Sequence, residues 1–325
     1  MVIGFTGGRG FIGSWLLRYI TSMRPDSVRL LLRNIRPLEE FGKAEIVCGD
    51  LLSPVDCQRF VDGLDVIYHL AHCNTPVNSD HDQPNDALLN MIPLLNLLQA
   101  IKARKTNPHI VYFSSGGTVY GRRPNRIPYG ETDYCEPSSS YGIQKLAAEH
   151  YLRVAAERGD LTCTVLRVSN AYGALLPRER TQGLIGVAIN NVLHNAPIRI
   201  FGNSENVRDY VHLDDICTIA ERVADRKETF TILNVGSGLG HSVGDVLNII
   251  QQCANFPVRI ERVLDKQCGK WLTDWVVLDV AKAKQLYGWS PVVGLETGIR
   301  AMFDNSREHT RWRATTAGGA PGCAG

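Results

Sequence analysis

Two things are nearly absent from this sequence: net charge and long apolar runs. The formal net charge is +2 over 325 residues, which excludes a broad basic surface for nucleic acid or anionic lipid. No apolar run approaches the length that spans a bilayer. The N-terminal MVIGFTGG lacks the basic and long apolar regions of a signal peptide. The sequence therefore predicts a cytoplasmic protein that binds neither membranes nor nucleic acid.

Cysteine pairs with the spacing of a metal site are also missing. The nine cysteines are scattered, and none forms a C-x-x-C pair. This pattern predicts reduced thiols rather than disulfides. His69, His72 and Cys73 lie close together in the sequence, but no further ligand cluster accompanies them. We therefore expect side chains at a strand end, and no metal site.

Short apolar runs alternate with helical patterns in the first half of the chain. Six runs are continuously apolar, which indicates a parallel sheet covered on both faces. They are residues 2–6, 28–32, 45–50, 65–71, 109–115 and 162–170. The predicted fold class is α/β, a Rossmann-type doubly wound parallel sheet with a smaller α+β substrate-binding lobe. The predicted boundaries are 1–172 for the sheet domain, 173–305 for the lobe and 306–325 for a disordered tail.

The stretch TGGRGFIGS follows the first predicted strand and opens a helix, as a dinucleotide-binding turn does. Gly7 permits the tight turn, Gly10 lets the backbone approach a pyrophosphate, and Gly13 lets helix and strand pack closely. The helix then begins at Phe11 and Ile12, whose end of the helix faces the negative charge. The other interpretation is a glycine-rich turn without a ligand.

The choice between NAD and NADP depends on the end of the second strand. An acid about 20 residues beyond the glycines binds the ribose 2′-hydroxyl of NAD, but Arg33 occupies that place. An arginine pairs with a 2′-phosphate, so Arg33 and Arg9 favour NADP. In the other interpretation Arg33 is solvated, and Arg9 contacts adenine or phosphate in either cofactor.

A further carboxylate follows the third strand. Asp50, with Leu51 beside it, would lie near the adenine rim of a bound dinucleotide. The alternative is that Asp50 is a helix-capping residue ahead of Pro54.

The stretch SSSYGIQK places Tyr141 and Lys145 four residues apart, and therefore on one helix face. A free tyrosine, with a pKa of about 10, is a poor base at neutral pH. A lysine cation one turn away stabilises the phenolate. Although such a pair is often only a surface feature, its place after a dinucleotide turn and five strands favours catalysis.

With these pieces in order, the chain resembles the extended short-chain dehydrogenases/reductases, in particular the NAD-dependent epimerase/dehydratase family. Residues 1 to about 305 carry the resemblance. The matching stretches are TGGRGFIGS, GDL, HLAH, SSGGTVYG, YGIQK, LRVSNAYG, NVRDYVHLDD and LDVAKAKQLYGWSP. SSGGTVYG and LRVSNAYG are most similar to bacterial UDP-glucose 4-epimerase-like proteins of polysaccharide biosynthesis.

The resemblance implies a nucleotide-sugar 4-epimerase that works through a 4-keto sugar. Tyr141 would take the proton of the hexose 4-hydroxyl, and Lys145 would hold the nicotinamide ribose and tune Tyr141. Asn170 and Gln182 match positions that contact the substrate. Arg208 matches the arginine that pairs with the diphosphate, although from the residues alone it could be a surface ion pair.

The resemblance also implies cofactor contacts at Ala71 and at Asn90, whose alternative is an exposed amide. The family usually has a serine or threonine where this chain has Gly116. Ser115 or Thr118 would then supply the hydroxyl that orients the substrate.

Two departures bear on the reaction. The dehydratase branch carries an acid pair at positions 117–118, and the absence of such a pair here argues against dehydration. Arg9 is similar to its counterpart in NADPH-using nucleotide-sugar reductases. The alternative function is therefore reduction of a dTDP- or GDP-linked 4-keto-6-deoxyhexose, and a third is a non-catalytic dinucleotide-binding regulator.

The resemblance further implies a homodimer formed through residues 86–104 and 141–157.

Overall fold

A computed structural model describes most of the chain as strands and helices. The described residues are 1–24, 26–34, 44–76, 78–123, 125–175, 183–225, 228–254, 258–263 and 273–317. The elements are β1 (Val2–Thr6), α1 (Phe11–Met23), β2 (Ser27–Leu32), β3 (Glu45–Cys48), α2 (Pro54–Val61), β4 (Val66–His69), α3 (Gln83–Arg104), β5 (His109–Ser115), α4 (Ser140–Glu157), β6 (Thr162–Val168), β7 (Asn170–Tyr172), α5 (Leu184–Leu193), β8 (Ile198–Phe201), β9 (Val207–His212), α6 (Leu213–Asp225), β10 (Phe230–Val235), β11 (Gly240–Ser242), α7 (Val243–Ala254), β12 (Ile260–Val263), β13 (Trp275–Val276), α8 (Ala281–Tyr287) and α9 (Leu295–Ala317).

The large sheet has seven parallel strands in the order β10-β6-β5-β4-β1-β2-β3. The six predicted strands are confirmed as β1 to β6, with ends within two residues of the prediction. The chain leaves β1 toward β2 and β3 and then returns to β4 on the other side of β1. Such a reversal of strand order creates a crevice at the carboxyl ends of the strands, where open α/β sheets bind ligands.

Helices cover both faces of this sheet, as its continuously apolar strands require. On one face α1 packs against α6, and Leu16 and Ile20 share a buried cluster with Ile216. On the other face α2, α3 and α4 pack side by side over a second cluster that includes Phe60 and Leu152. Burial of each such side chain contributes about 1.5–3 kcal/mol. The predicted Rossmann-type fold class is thereby confirmed.

The seventh strand comes from the second half of the chain. β10 pairs in parallel with β6, with Leu233 opposite Leu166, and α6 and Trp289 pack into the same core. Part of the segment 173–305, which the sequence assigns mainly to the smaller lobe, thus belongs to the large sheet. The run FTILNV carries no local signal of its partner, because strand pairing is decided by tertiary packing.

The smaller lobe is built from short strands and α5, α7 and α9. One sheet has the order β11-β9-β13, and β7 pairs with β9; β8 pairs with β12. Ile189, Ile250 and Phe303 form the centre of its apolar cluster. β7 starts two residues after β6 ends, so the lobe is joined directly to the carboxyl edge of the large sheet.

The last helix runs further than the sequence predicts. α9 extends to Ala317, whereas the predicted disordered tail starts at residue 306. This part of the tail contains neither glycine nor proline, so nothing in it breaks a helix whose first turns are anchored in the lobe core. Within the described ranges, no helix has both the length and the apolar character needed to cross a bilayer.

Candidate active site

The turn between β1 and α1 packs tightly against the end of β4. Gly7 has a φ of 75°, and a Cβ atom on it would lie 2.6 Å from the Ala71 nitrogen. A Cβ atom on Gly13 would lie 2.2 Å from the Gly7 oxygen. Both positions therefore require glycine, one for its conformation and the other for the close approach of the helix.

This turn leaves bare backbone at the start of α1. Gly10 is the N-cap residue, and no side chain caps the helix. The first backbone N–H groups of a helix lack intrahelical acceptors, so those that begin at Phe11 and Ile12 are available to an anion. The Phe11 and Ile12 side chains pack against the apolar core. The turn therefore fits the pyrophosphate of a dinucleotide at the positive end of the helix dipole.

The structure brings Arg9 to the end of β2. Its Nη1 donates to the Asn34 carbonyl at 3.1 Å, and Asn34 directly follows Arg33. The side chains of Arg9 and Arg33 are both exposed. The ribose of a bound dinucleotide would lie at this edge of the sheet. Two guanidinium groups there could bind an additional anionic group on that ribose, such as a 2′-phosphate.

Asp50 is not the residue that caps the next helix. Ser53 caps α2 by accepting from the Asp56 nitrogen at 3.3 Å, whereas Asp50 Oδ1 accepts from the Leu52 nitrogen at 2.9 Å. The capping alternative for Asp50 is therefore wrong, because its side chain closes a local turn instead. The Leu51 side chain is buried in the core, so only its backbone could meet a cofactor.

Several groups fix the start of α4, which carries Tyr141. Ser139 is the N-cap residue and accepts from the Gly142 nitrogen at 3.2 Å. Two residues from the loop before α3 extend this cap. Ser79 Oγ accepts from the Tyr141 nitrogen at 3.1 Å, and Asp80 Oδ1 accepts from the Ser140 nitrogen at 2.9 Å. The position of Tyr141 is therefore fixed by these hydrogen bonds to the backbone at the start of α4, in addition to the helix itself.

Tyr141 and Lys145 lie on the same face of α4, as their spacing predicts. Lys145 Nζ lies 5.6 Å from the centre of the Tyr141 ring and donates to the Phe113 carbonyl at 2.8 Å. Burial lowers the pKa of Lys145 to about 7, and Glu149 offsets part of this shift. Burial raises the pKa of Tyr141 to about 12, while hydrogen bonding with the nearby Ser115 hydroxyl acts in the opposite direction. The arrangement suits proton transfer by a phenol whose charge is controlled by its neighbours.

The last residue of β5, Ser115, rather than a residue at position 116, lies next to Tyr141. A Cβ atom on Gly116 would lie 2.6 Å from Leu278 Cδ1 and 3.0 Å from the Arg167 oxygen. Because the buried Leu278 side chain fills that space, a serine or threonine at position 116 would clash. Thr118 Oγ1 is buried and has no hydrogen-bond partner within the described part of the chain.

Sequence reasoning missed an ion pair one turn beyond Lys145. Glu149 and Arg167 are 2% and 4% exposed at their side chains, and their Oε2 and Nη2 atoms lie 2.6 Å apart. Ser114 Oγ also donates to Glu149 Oε1 at 2.5 Å. The only sequence signal for Glu149 is its spacing of four from Lys145, which puts it on the same buried face.

Asn90 is a buried structural amide rather than an exposed one. Its Nδ2 donates to Asp86 Oδ1 at 2.8 Å, and its Oδ1 accepts from the Cys73 nitrogen at 2.8 Å. Asp86 also accepts from Ser140 Oγ and from Gln144 Nε2, at 3.1 and 2.6 Å. Asp86 and Asn90 thus join α3, the loop after β4 and the start of α4 into one buried network. Any cofactor contact at Asn90 would therefore be made by a side chain already engaged.

The candidate substrate residues lie on the lobe side. β7 pairs with β9, so that Asn170 lies opposite Tyr210, the last residue of the stretch RDY (208–210), and Asn170 Nδ2 donates to the Asp209 carbonyl at 2.9 Å. Arg208 donates to the carbonyls of Val207 and Thr273, at 2.8 and 2.5 Å, and burial lowers its pKa. A half-buried guanidinium bonded to neutral carbonyls suits an anionic ligand. Gln182 lies outside the described residues.

Comparison with known sequences gives one consistent family. Residues 3–236 match the model of the NAD dependent epimerase/dehydratase family. A putative UDP-glucose 4-epimerase of Methanocaldococcus jannaschii is 30% identical over 312 residues, which cover 94% of this chain and 98% of the relative. A dTDP-4-dehydro-6-deoxyglucose reductase of Escherichia coli is 28% identical over 314 residues, 93% of this chain and 96% of the relative.

Two solved structures of similar architecture carry relevant ligands. The UDP-glucose 4-epimerase of Thermotoga maritima with UDP-glucose has a TM-score of 0.86 and 26% identity, and the match covers 95% of this chain and 100% of that one. The UDP-glucose 4-epimerase of Thermus thermophilus with NAD has a TM-score of 0.83 and 28% identity, and the match covers 94% and 99%.

Proposed function

The chain belongs to the NAD dependent epimerase/dehydratase family, and from that premise we propose that it is a nucleotide-sugar 4-epimerase of the UDP-glucose/UDP-galactose type. The observation that carries the proposal is the grouping of Tyr141, Lys145 and Ser115 at the carboxyl end of β5 and the first turns of α4, at the same edge of the sheet as the glycine turn. The named relatives and solved structures support the UDP-sugar class. The NAD bound in the Thermus thermophilus structure supports NAD as the cofactor.

In this proposal each residue has one task. A bound dinucleotide supplies the acceptor and donor of the hydride at sugar carbon C4. Tyr141 takes the proton of the 4-hydroxyl and returns it. Lys145 in its charged form stabilises the Tyr141 phenolate, and Ser115 orients the reacting hydroxyl. Rotation of the 4-keto sugar between the two transfers inverts C4.

Binding of the nucleotide sugar is assigned to the lobe. Arg208 would pair with the diphosphate, because its guanidinium is already partly desolvated and is bonded only to carbonyl oxygens in the contacts described. Asn170 would contact the sugar side. Gln182 stays a predicted nucleoside contact. Gly7, Gly10 and Gly13, together with Ala71 behind the turn, would hold the pyrophosphate at the start of α1.

The second candidate function is NADPH-dependent reduction of a nucleotide-linked 4-keto-6-deoxyhexose. Arg9 and Arg33 at the end of β2 favour it, because they would pair with a 2′-phosphate. The similarity to a dTDP-4-dehydro-6-deoxyglucose reductase supports it as well. Tyr141 would then act as a proton donor in one direction only.

We also propose that the protein is a homodimer formed through α3 and α4. Leu88 and Ile92 lie four residues apart on α3 and are 51% and 39% exposed, while Ile143 and Tyr151 on α4 are 56% and 47% exposed. The two helices pack side by side, so their exposed apolar residues suit burial against a second copy. A cytoplasmic location stays a prediction.

One experiment separates these functions. The purified protein is denatured, the released dinucleotide is identified, and the folded protein is assayed with UDP-glucose without added cofactor. The 4-epimerase predicts near-stoichiometric NAD and formation of UDP-galactose. A protein that carries no dinucleotide, binds NADPH more tightly than NADH and reduces a 4-keto sugar is the reductase. A non-catalytic regulator would convert no nucleotide sugar.

A further inference from the structure

A small polar cavity lies between the sheet and the two helices α3 and α4. Its volume is about 10 Å³, which is the space of about one water molecule. The polar side chains that line it are His69, His72, Asn90, Tyr112 and Gln144. It is close to the catalytic residues because Gln144 directly precedes Lys145, and His72 contacts Tyr141.

Gln144 presents a side-chain oxygen to this region. Gln144 is 6% exposed, and its Nε2 donates to Asp86 Oδ2 at 2.6 Å and to Ser140 Oγ at 3.0 Å. These two bonds fix which end of the amide is the nitrogen. Oε1 is buried, and no hydrogen bond to it is found among the residues that the structure describes. A buried carbonyl oxygen in this state needs a donor.

His72 presents a second buried atom of the same kind. Its Nε2 is buried and has no hydrogen-bond partner in the described ranges. Burial, with smaller effects of Lys145 and His69, lowers the pKa of His72 to about 2. The imidazole is therefore neutral, so one of its nitrogens carries a proton and the other accepts.

His72 is also in direct contact with the residue proposed to transfer the proton. The two rings meet edge to face, with centroids 4.8 Å apart and an interplanar angle of 83°. The backbone beyond His72 is held by the bond from the Cys73 nitrogen to Asn90. The orientation of the imidazole about its own side-chain bonds has no such anchor among the contacts described.

We propose that the cavity binds one water molecule, which donates to Gln144 Oε1 and to His72 Nε2, and that His72 is thereby a positioning residue for Tyr141. A water molecule has two donors, one for Gln144 Oε1 and one for His72 Nε2 in the tautomer that carries its proton on Nδ1, and buried waters typically make 2–4 hydrogen bonds. A hydrogen-bonded path then runs from Asp86 through Gln144 and the water to the His72 ring, which contacts the Tyr141 ring edge to face. The positioning role rests on the proposed function of Tyr141, but the water site does not.

The first test is a crystal structure of the whole protein at a resolution that shows ordered water. We expect one water within about 3 Å of both Gln144 Oε1 and His72 Nε2. A cavity without ordered water, or a direct bond between the two side chains, overturns the proposal. This result is independent of activity, so it stands even if the protein proves not to be a 4-epimerase.

The second test is the variant His72→Phe, which keeps an aromatic edge against Tyr141 and removes Nε2. We expect kcat to fall about tenfold with KM changed less than about twofold, because Tyr141 is displaced and substrate binding is not. The amount of bound dinucleotide should stay that of the wild type. Unchanged kcat overturns the positioning role, as does an equal loss in the control Thr164→Val. That control alters a buried hydroxyl outside the cavity lining, one for which the described residues offer no hydrogen-bond partner.

Discussion

Lys145 Nζ lies 5.6 Å from the centre of the Tyr141 ring, and burial lowers its pKa to about 7. The two residues therefore meet in surroundings that penalise charge on either of them. A lysine with so low a pKa lowers the stability of the folded protein, since it must give up its hydration or its proton. This loss of stability is the consequence of burying a basic group next to the Tyr141 ring.

The first prediction concerns stability and pH. The folded pKa of Lys145 is about 7 and its ordinary value is 10.5, so between these values the unfolded chain binds the proton that the folded chain releases. The contribution of Lys145 to the free energy of unfolding therefore rises with pH in this window. Lys145→Met should remove that rise, as measured by urea unfolding of dinucleotide-free protein at pH 7 and pH 9. Lys102 is exposed, so Lys102→Met is the control. If the free energy of unfolding changed equally between pH 7 and pH 9 in the wild type and both variants, the lowered pKa of Lys145 would be contradicted.

The second prediction concerns the ribose 2′ position, where NADPH carries a phosphate and NADH a hydroxyl. Arg33→Asp should weaken NADPH binding by about tenfold or more, because a charge-assisted bond is replaced by repulsion. NADH binding should change less than about threefold, since an acid at this place suits a ribose hydroxyl. Titration of dinucleotide-free protein measures both affinities. An equal loss for the two cofactors would show that Arg33 does not face the 2′ position, and the exposed Arg126→Asp controls for net charge.

The third prediction compares the effect on stability of alanine at two adjacent glycines, Gly116 and Gly117. Gly116→Ala should lower the free energy of unfolding by about 1–3 kcal/mol, because the new Cβ atom meets Leu278 at 2.6 Å. Gly117→Ala should be close to neutral, because its Cβ atom would have the Ser115 Oγ as its nearest neighbour at 3.9 Å. In the double variant Gly116→Ala/Leu278→Ala, the two losses should be less than additive. Equal destabilisation by the two alanines would refute the role of Leu278.

The fourth prediction concerns the buried ion pair. Removing one partner, by Glu149→Gln or Arg167→Met, should lower the free energy of unfolding by about 3–5 kcal/mol, because a buried charge is left unpaired. Replacement of both partners should cost less than the sum of the single losses. Urea unfolding of the four proteins at one pH completes this cycle. Additive losses would mean that the two side chains contribute independently.

Much of the fold could be predicted because its signals are local. The apolar runs of β1 to β6, the glycine spacing and the Tyr141–Lys145 pair each lie within a few residues of chain. The place of β10 beside β6 could not be predicted, because a six-residue strand does not specify its neighbour. The choice of Ser115 over position 116 depends on Leu278, more than 160 residues away in sequence. The pairing of Glu149 with Arg167 needs the packing of α4 on β6.

The most direct test of the proposed 4-epimerase uses UDP-glucose that carries deuterium at C4, incubated with the purified protein in ordinary water. We predict UDP-galactose that keeps its deuterium at C4, because the hydride leaves and returns within one site. We predict no product from Tyr141→Phe, which should still contain its dinucleotide. Loss of the deuterium to solvent, or no epimer at C4 from the wild-type protein, would contradict this mechanism.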